Sequence, residues 1–560
     1  MNTLFSLAHL NPPYMLRNYS SAFVFVLFTS LASAQCAESA TNKVLLVGDS
    51  WAFFMGVDQT LNTVLERWGH SDARFVTNLV LAENGAQTDD FLEVDKQTEI
   101  ANQLLDNPSI KVVHLSIGGN DVLGDWNIDM TAQETEALEA SVTERLHQVI
   151  AFILDIRPDV HVLWSGYMYP NFEEVIESAA PLQTLHPFYG TWEDMGFPSF
   201  AQINSVLNNF SAGIAAYIDT MPRVHFVNSP GLLQYTYGQA EALEVAPGGT
   251  YAQFTAPLPI GFPEYPSPLN SMRDYGITRD CFHLSPGGYR DMIDLHTRKF
   301  YHKFLMNDQY ILSNGGQNDG SVSDAGTVSP LLQVGAVGAE QFSSILTFNT
   351  TAMESPVVES ASIFLRRTSL SGTNPVGSTV SISMKNGAFG ATLNVEASDL
   401  TDTPDVAGTA CRFGANDGNG RWIRLDLPEE FLPFITPANT TQFILSGTES
   451  ADGVITFTDA TDPELAPMLN LTFGEVNTSI ITEQLEPTPR IYPNPTEGPV
   501  TIAANGHKVR SIRVLDPLGR NVLTFTTNVR SVDLSGLPNG SYTLVLSTET
   551  GNEVQRIVKW

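Results

Sequence analysis

Between Lys43 and Leu305 short apolar runs alternate with longer stretches whose apolar residues recur every three or four positions, and this alternation constrains the fold more than any other feature of the chain. Short continuous apolar runs suit strands buried on both faces, and the 3.6-residue period suits helices packed over them. A parallel sheet joined by helical crossovers satisfies both demands. The spacing predicts strands over 43–47, 74–80, 111–117, 160–164 and 224–227, and a long crossover helix over 132–156. The pattern stops at 307–328, where Gly, Asn, Ser and Asp crowd out apolar residues as they do in linkers.

Beyond that break the text changes. From 329 to 474 short strand-like runs are separated by turn residues, the mark of an all-β sandwich, and no nucleophile constellation stands out. Trp422 and Phe389 are the candidates for a sugar-stacking face on this accessory unit, set against the commoner use of such rings as core. A polar, proline-bearing linker at 475–487 leads to a tail, 488–560, with 8 Lys and Arg against 5 Asp and Glu. That balance is opposite to the rest of the chain and supports a separate unit.

Charge and cysteines narrow the function classes. A formal net charge of −32 over 560 residues opposes polyanions, so nucleic acid and anionic lipid surfaces are excluded as partners. Cys36, Cys281 and Cys411 are too few for a disulfide framework and odd in number, which leaves at least one free thiol in an exported protein. At the N-terminus, Arg17, the apolar run 22–31 and Ala32-Ser33-Ala34 have the three parts of a secretory signal, expected to span 1–34 with cleavage after Ala34. Residues before Met15 fit that pattern badly, which makes Met15 a candidate start. The apolar run is too short to span a bilayer, so the mature chain is expected to carry no integral membrane segment. Gln35 is bulky where lipid attachment at Cys36 would require a small residue.

Four pieces bear on chemistry. Gly48-Asp49-Ser50 follows the first strand and opens a helix-like segment; Gly85 follows the second; Gly118-Gly119-Asn120-Asp121 follows the third; Asp280 stands three residues before His283. Loops after successive parallel strands emerge at one edge, where ligands bind, so the first three pieces converge. Ser285 as N-cap and Pro286 at the first helical position start a last helix directly after His283. A serine hydroxyl needs an adjacent base, and His283 would take its proton and return it to the leaving group. Asp280 would fix the tautomer of His283 and stabilise its imidazolium. Ser50 N–H, Gly85 N–H and the Asn120 amide would hold the developing oxyanion. G-G-N-D is the sharpest piece, expected by chance in fewer than about one such chain in a hundred; Gly85 alone reads equally as an Asn-Gly turn.

With those motifs, 43–306 resembles the SGNH hydrolases, the GDSL esterase and lipase family, whose four blocks centre on Ser, Gly, Asn and His. The resemblance implies a three-layer α/β/α fold, ester hydrolysis without metal or cofactor, Ser50 as nucleophile, Gly85 and Asn120 as oxyanion donors, and Asp280 and His283 as the remaining catalytic pair. The family's leucine after G-D-S is Trp51 here, an indole that would narrow the pocket. The tail, with Tyr492-Pro493-Asn494-Pro495-Thr496, Gly498, the Asp516–Gly519 turn, Asp533-Leu534, Gly540, Tyr542 and Ile557-Val558-Lys559, resembles the C-terminal sorting domain read by the type IX secretion system. That resemblance implies the type IX machinery as a partner and a secreted or cell-surface location. The middle unit is faintly similar to β-sandwich modules of secreted polysaccharide-active enzymes.

The expectation is a secreted serine esterase acting on acetyl or short acyl esters of polysaccharides; the alternatives are a lipase or general carboxylesterase on lipid esters, and a non-catalytic glycan-binding or adhesion protein. Two long segments are candidates for specificity: the aromatic-dense stretch after the fourth strand, with Tyr167, Tyr169, Phe188, Tyr189 and Trp192, and the proline-rich stretch 229–278. Those rings would either line an acyl or sugar site or pack under the loop.

Overall fold

The computed structural model describes residues 36, 38–238, 260–414, 418–447, 452–474, 490–503, 508–526, 529–548 and 551–560. The expected signal segment 1–34 and the second linker, 475–487, lie outside them, as does 239–259 of the proline-rich stretch. Among the described residues no helix is long and apolar enough to cross a membrane.

All five expected strands form. β1 (Thr41–Gly48), β2 (Ala73–Ala82), β3 (Val112–Ser116), β4 (His161–Trp164) and β5 (Val224–Phe226) make one parallel sheet in the order β2-β1-β3-β4-β5. Val44–Val47 and Val112–Ser116 are fully buried, which is why the first reads as an unbroken apolar run and the second as an apolar run interrupted only by His114 and Ser116. Thr60–Arg67 packs with Pro286–His296, whereas Ala132–Ile156 packs with Val94–Asp106 and Phe200–Ile218, giving the three-layer α/β/α arrangement. The long helix occupies the predicted span, opened by a capping box between Thr131 and Glu134. Ser285 caps the last helix by accepting from Gly288 N, with Pro286 at the first position. One element was not legible: a hairpin of β6 (Met272–Tyr275) and β7 (Thr278–Leu284) lies outside the parallel sheet and carries Asp280 and His283.

The stretch expected as a linker at 307–328 is folded. Gln309–Leu312 pairs with Met468–Phe473, and Gly320–Ser323 pairs with Glu340–Phe348. Its small polar residues fit inside because their hydroxyls are bonded: Ser321 Oγ donates to Leu331 O at 2.8 Å, and Ser323 Oγ accepts from Thr327 N at 3.0 Å. The expected all-β unit follows. Antiparallel pairings join Glu340–Phe348, Leu332–Val337, Val454–Phe457, Val358–Ser371, Trp422–Asp426, Val406–Phe413, Thr379–Asn386 and Thr441–Ser446 in turn, and the last pairs back onto the first, so the ladder closes on itself around Phe348, Ile363, Leu425, Phe443 and Ile455.

This β unit shares a core with the α/β domain. Phe364, Trp422 and Met468 belong to the same apolar cluster as β1 and β3, and Trp422 stacks on Trp68 at 5.4 Å. Arg424 pairs with Asp72 at 2.8 Å, with Glu38 and with Asp426. A disulfide joins Cys36 to Cys411, and Cys281 is the free, buried thiol. Trp422 and Phe389, the candidate sugar-stacking rings, are both fully buried and are core.

The second unit spans Val476–Trp560. Two antiparallel sheets, one of Arg490–Tyr492, Pro499–Ala503 and Ser531–Asp533 and one of Asn521–Thr526, Ser511–Leu515, Gly540–Ser547 and Asn552–Lys559, enclose Ile512, Val514, Leu534, Leu544 and Ile557. Asp516 holds its turn by accepting from Leu518 N and Arg520 N at 3.0 and 2.9 Å.

Candidate active site

The first three sequence pieces sit at the carboxyl edge of the sheet, as strand order requires. β1 ends at Gly48, where a Cβ would come within 1.9 Å of Ser116 O, so only glycine lets the chain turn this close to β3. Asp49 then caps the helix Ser50–Val57 by accepting from Trp51 N at 2.9 Å. The first intrahelical bond runs from Phe53 N to Asp49 O, so the Ser50 N–H precedes the helical ladder and is unpaired within it.

The hairpin brings the base to this turn. His283 Nε2 lies 2.7 Å from Ser50 Oγ, and His283 Nδ1 lies 2.8 Å from Asp280 Oδ2. Asp280 Oδ1 accepts from the backbone N–H groups of Phe282 and His283, each at 2.8 Å, which fixes the carboxylate before it meets the ring. A carboxylate only accepts, so Nδ1 is the donor and Nε2 is left as acceptor for the serine proton. The three side chains are mostly shielded from solvent, with Ser50 at 6% and Asp280 at 2% exposure.

Gly85 lies in the turn after β2 and Asn120 in the first turn of the helix Gly119–Asp125. Asn120 Nδ2 donates to Ala86 O at 2.9 Å, and an amide nitrogen has a second hydrogen free for another acceptor. Gly85 sits in the turn after β2 with open space on its Cβ side. Behind these loops Asp121 is fully buried: it accepts from Thr88 Oγ1 at 2.6 Å, from Thr88 N, and from Arg145 Nη2 at 2.9 Å. This network ties the Gly85 loop to the helix Gly119–Asp125 that carries Asn120 and to the helix Ala132–Ile156. The sequence carried a signal for it: Arg145 adjoins Leu146 on a helix whose inward stripe is Val142, Leu146, Val149 and Ile153.

Trp51 does not narrow a pocket. It points inward, fully buried among Tyr167, Phe282 and Tyr289, whose ring centres lie 5.0, 5.6 and 5.4 Å away. The rings beside the base are Phe54, Phe282 and Phe188, at 4.9, 5.6 and 6.2 Å from His283. Phe54 is held under the Arg273 guanidinium at 3.9 Å, and Arg273 pairs with Asp58 at 2.8 Å. Of the other aromatic candidates, Tyr167 and Tyr169 are buried, while Tyr189 and Trp192 pack on Phe197 at 5.8 and 5.0 Å. Cys281 is a packing residue, because burial pushes its thiol far above the ordinary range and leaves it protonated. Asp49 is the other perturbed acid: burial pushes its carboxyl up to about 7, against hydrogen bonds from Tyr167 and Trp51 that favour the charged form.

Residues 490–560 match the family described as Secretion system C-terminal sorting domain. No curated protein matches the chain. Among solved structures the chain is similar to a family 3 carbohydrate esterase from Clostridium thermocellum, at 18% identity over 46% of this chain and 94% of that one, with a TM-score of 0.25. It is also similar to a GDSL-like lipase from Bacteroides thetaiotaomicron, at 14% identity over 50% and 97%, TM-score 0.25. A third is the lipopolysaccharide acetyltransferase periplasmic domain of Salmonella ser. Paratyphi A, at 12% identity over 51% and 98%, TM-score 0.27.

Proposed function

We propose that the protein is an exported serine hydrolase of carboxylic esters, in which Ser50 is the nucleophile, His283 the general base and acid, and Asp280 the orienting carboxylate. The observation that carries this reading is the continuous hydrogen-bonded line from Asp280 through His283 to Ser50, at 2.8 and 2.7 Å. Ser50 Oγ attacks the ester carbonyl as its proton passes to His283 Nε2, and Asp280 stabilises the resulting imidazolium. The carbonyl oxygen becomes an oxyanion met by the N–H groups of Ser50 and Gly85 and by the Asn120 amide. His283 returns the proton to the leaving alcohol, and water activated by the same ring releases the acid from the acyl-enzyme.

The acyl group is short on this reading. Ser50 is nearly enclosed, and Phe54 and Phe188 stand against the base, which favours acetyl or similarly small groups over long chains. Acylated polysaccharide is the proposed substrate, with lipid esters as the competing one. Export is proposed to use the signal segment 1–34 and then the type IX machinery, which reads the tail, toward the surface or medium.

The test is a substrate panel on the purified chain beside Ser50→Ala: 4-nitrophenyl acetate, 4-nitrophenyl palmitate and acetylated xylan, with fluorophosphonate labelling in parallel. Release of acetate and labelling, both lost in Ser50→Ala, are the expected results. Palmitate cleavage at comparable kcat/KM would favour the lipase. Glycan binding without turnover or labelling would refute the hydrolase and leave an adhesion protein.

A further inference from the structure

We infer that Tyr167 is a positioning residue: one buried side chain that holds the Ser50 turn, the first turn of the Asn120 helix and the His283 strand at their working separations. The inference rests on the proposed roles of Ser50, Asn120 and His283. Tyr167 follows β4 in the stretch Ser165–Asn171 and is buried. It touches a chain neighbour of each of the three. Its hydroxyl donates to Asp49 Oδ2 at 2.5 Å, and its ring meets the Trp51 ring edge-on at 5.0 Å, so both residues flanking Ser50 bear on it. A Cβ on Gly119 would come within 2.7 Å of the ring, so the residue before Asn120 lies flat against it. On its other side the ring stacks on Phe282, the residue before His283, at 5.6 Å.

Three separate chain segments, from β1, β3 and β7, thus meet on a ring supplied by a fourth. One carboxylate oxygen of Asp49 accepts from Trp51 N and the other from Tyr167, two bonds that favour the ionised form against the burial that raises this carboxyl to about 7. The ionisable groups facing Asp49 are Tyr167, His283, Asp121 and Tyr289. Without the phenol donor the buried carboxyl retains its proton to higher pH, and the cap on the nucleophile helix weakens with it.

The experiment compares Tyr167→Phe and Asp49→Asn with the wild-type chain on 4-nitrophenyl acetate across pH 5–9, with circular dichroism and melting curves alongside. Expected for Tyr167→Phe is a fall in kcat of about tenfold or more with KM within about twofold, since small displacements of aligned groups cost rate rather than binding. The acid limb of its kcat profile moves to higher pH. Asp49→Asn slows turnover likewise but has no carboxyl to protonate and does not show that move. Should Tyr167→Phe lose the native spectrum, Asp49→Asn reads the same bond from its other end. A lowered melting temperature with kcat and the acid limb unchanged would overturn the inference and leave Tyr167 as core alone. Absence of ester turnover and of Ser50 labelling in the wild type is the separate failure that removes the hydrolase reading.

Discussion

Asp280→Asn isolates the tautomer of His283 from everything else the aspartate does. Both backbone N–H bonds at position 280 fall on the same oxygen, Oδ1, while His283 Nδ1 meets Oδ2. An asparagine therefore preserves the two backbone bonds with its carbonyl oxygen and turns its NH2 toward the imidazole. Two donors then face each other, and the ring escapes by moving its proton to Nε2, the atom that should accept from Ser50. Restoring the working tautomer requires flipping the amide and giving up both 2.8 Å backbone bonds. At about 1–3 kcal/mol for each such buried group, the competent arrangement lies about 2–6 kcal/mol uphill. At 1.36 kcal/mol per tenfold, that is a loss in kcat/KM of roughly thirtyfold to twenty-five-thousandfold. The assay is 4-nitrophenyl acetate hydrolysis with the rate of fluorophosphonate labelling at Ser50, and melting close to wild type is expected because the backbone bonds survive. Folded Asp280→Asn retaining more than a third of wild-type kcat/KM would refute the reasoning.

Two further predictions concern stability. Burial raises Asp49 to about 7 against an ordinary 3.8, so the native chain retains a proton that the unfolded chain has released, and stability falls as pH rises from about 4 to about 7, by roughly 4 kcal/mol from this group alone. In urea titrations at pH 4.5 and 7.5, Asp49→Asn should gain on the wild type at the higher pH; an equal pH slope in the two proteins contradicts this. Reducing the Cys36–Cys411 bridge, or replacing both cysteines by serine, should cost about 2–5 kcal/mol and lower the melting temperature, whereas a curve indifferent to dithiothreitol would show that the bridge contributes nothing.

The parts legible in the sequence are those where one physical demand dominates. A strand stretch buried on both faces, such as Val44–Val47, is pressed to be apolar, and the long helix over 132–156 shows in the spacing of its apolar residues. Ser50, Gly85 and Asn120 could be placed because parallel strands deliver their loops to one edge. The hairpin under Asp280 and His283 was not visible, since Thr278–Leu284 mixes charged and apolar residues without a clean period. The strands within 309–323 were read as linker because bonded serine hydroxyls can fill a core that composition alone assigns to solvent. Tyr167 shows the sharper limit. An aromatic in an aromatic-rich loop has the same letter whether it faces a ligand or lies beneath the loop, and its partners at Asp49, Gly119 and Phe282 are far apart in the chain.

The joint apolar cluster of the α/β domain and the β unit has a consequence for how this architecture can be inherited. A module strung on a tether can be exchanged by recombination without disturbing its neighbour, but Trp68 and Trp422 complete each other's surroundings, and neither half is finished without the other. Severing the chain near residue 306 would strip the cover from an indole and strand Asp72 without its guanidinium. The two halves are therefore one heritable block.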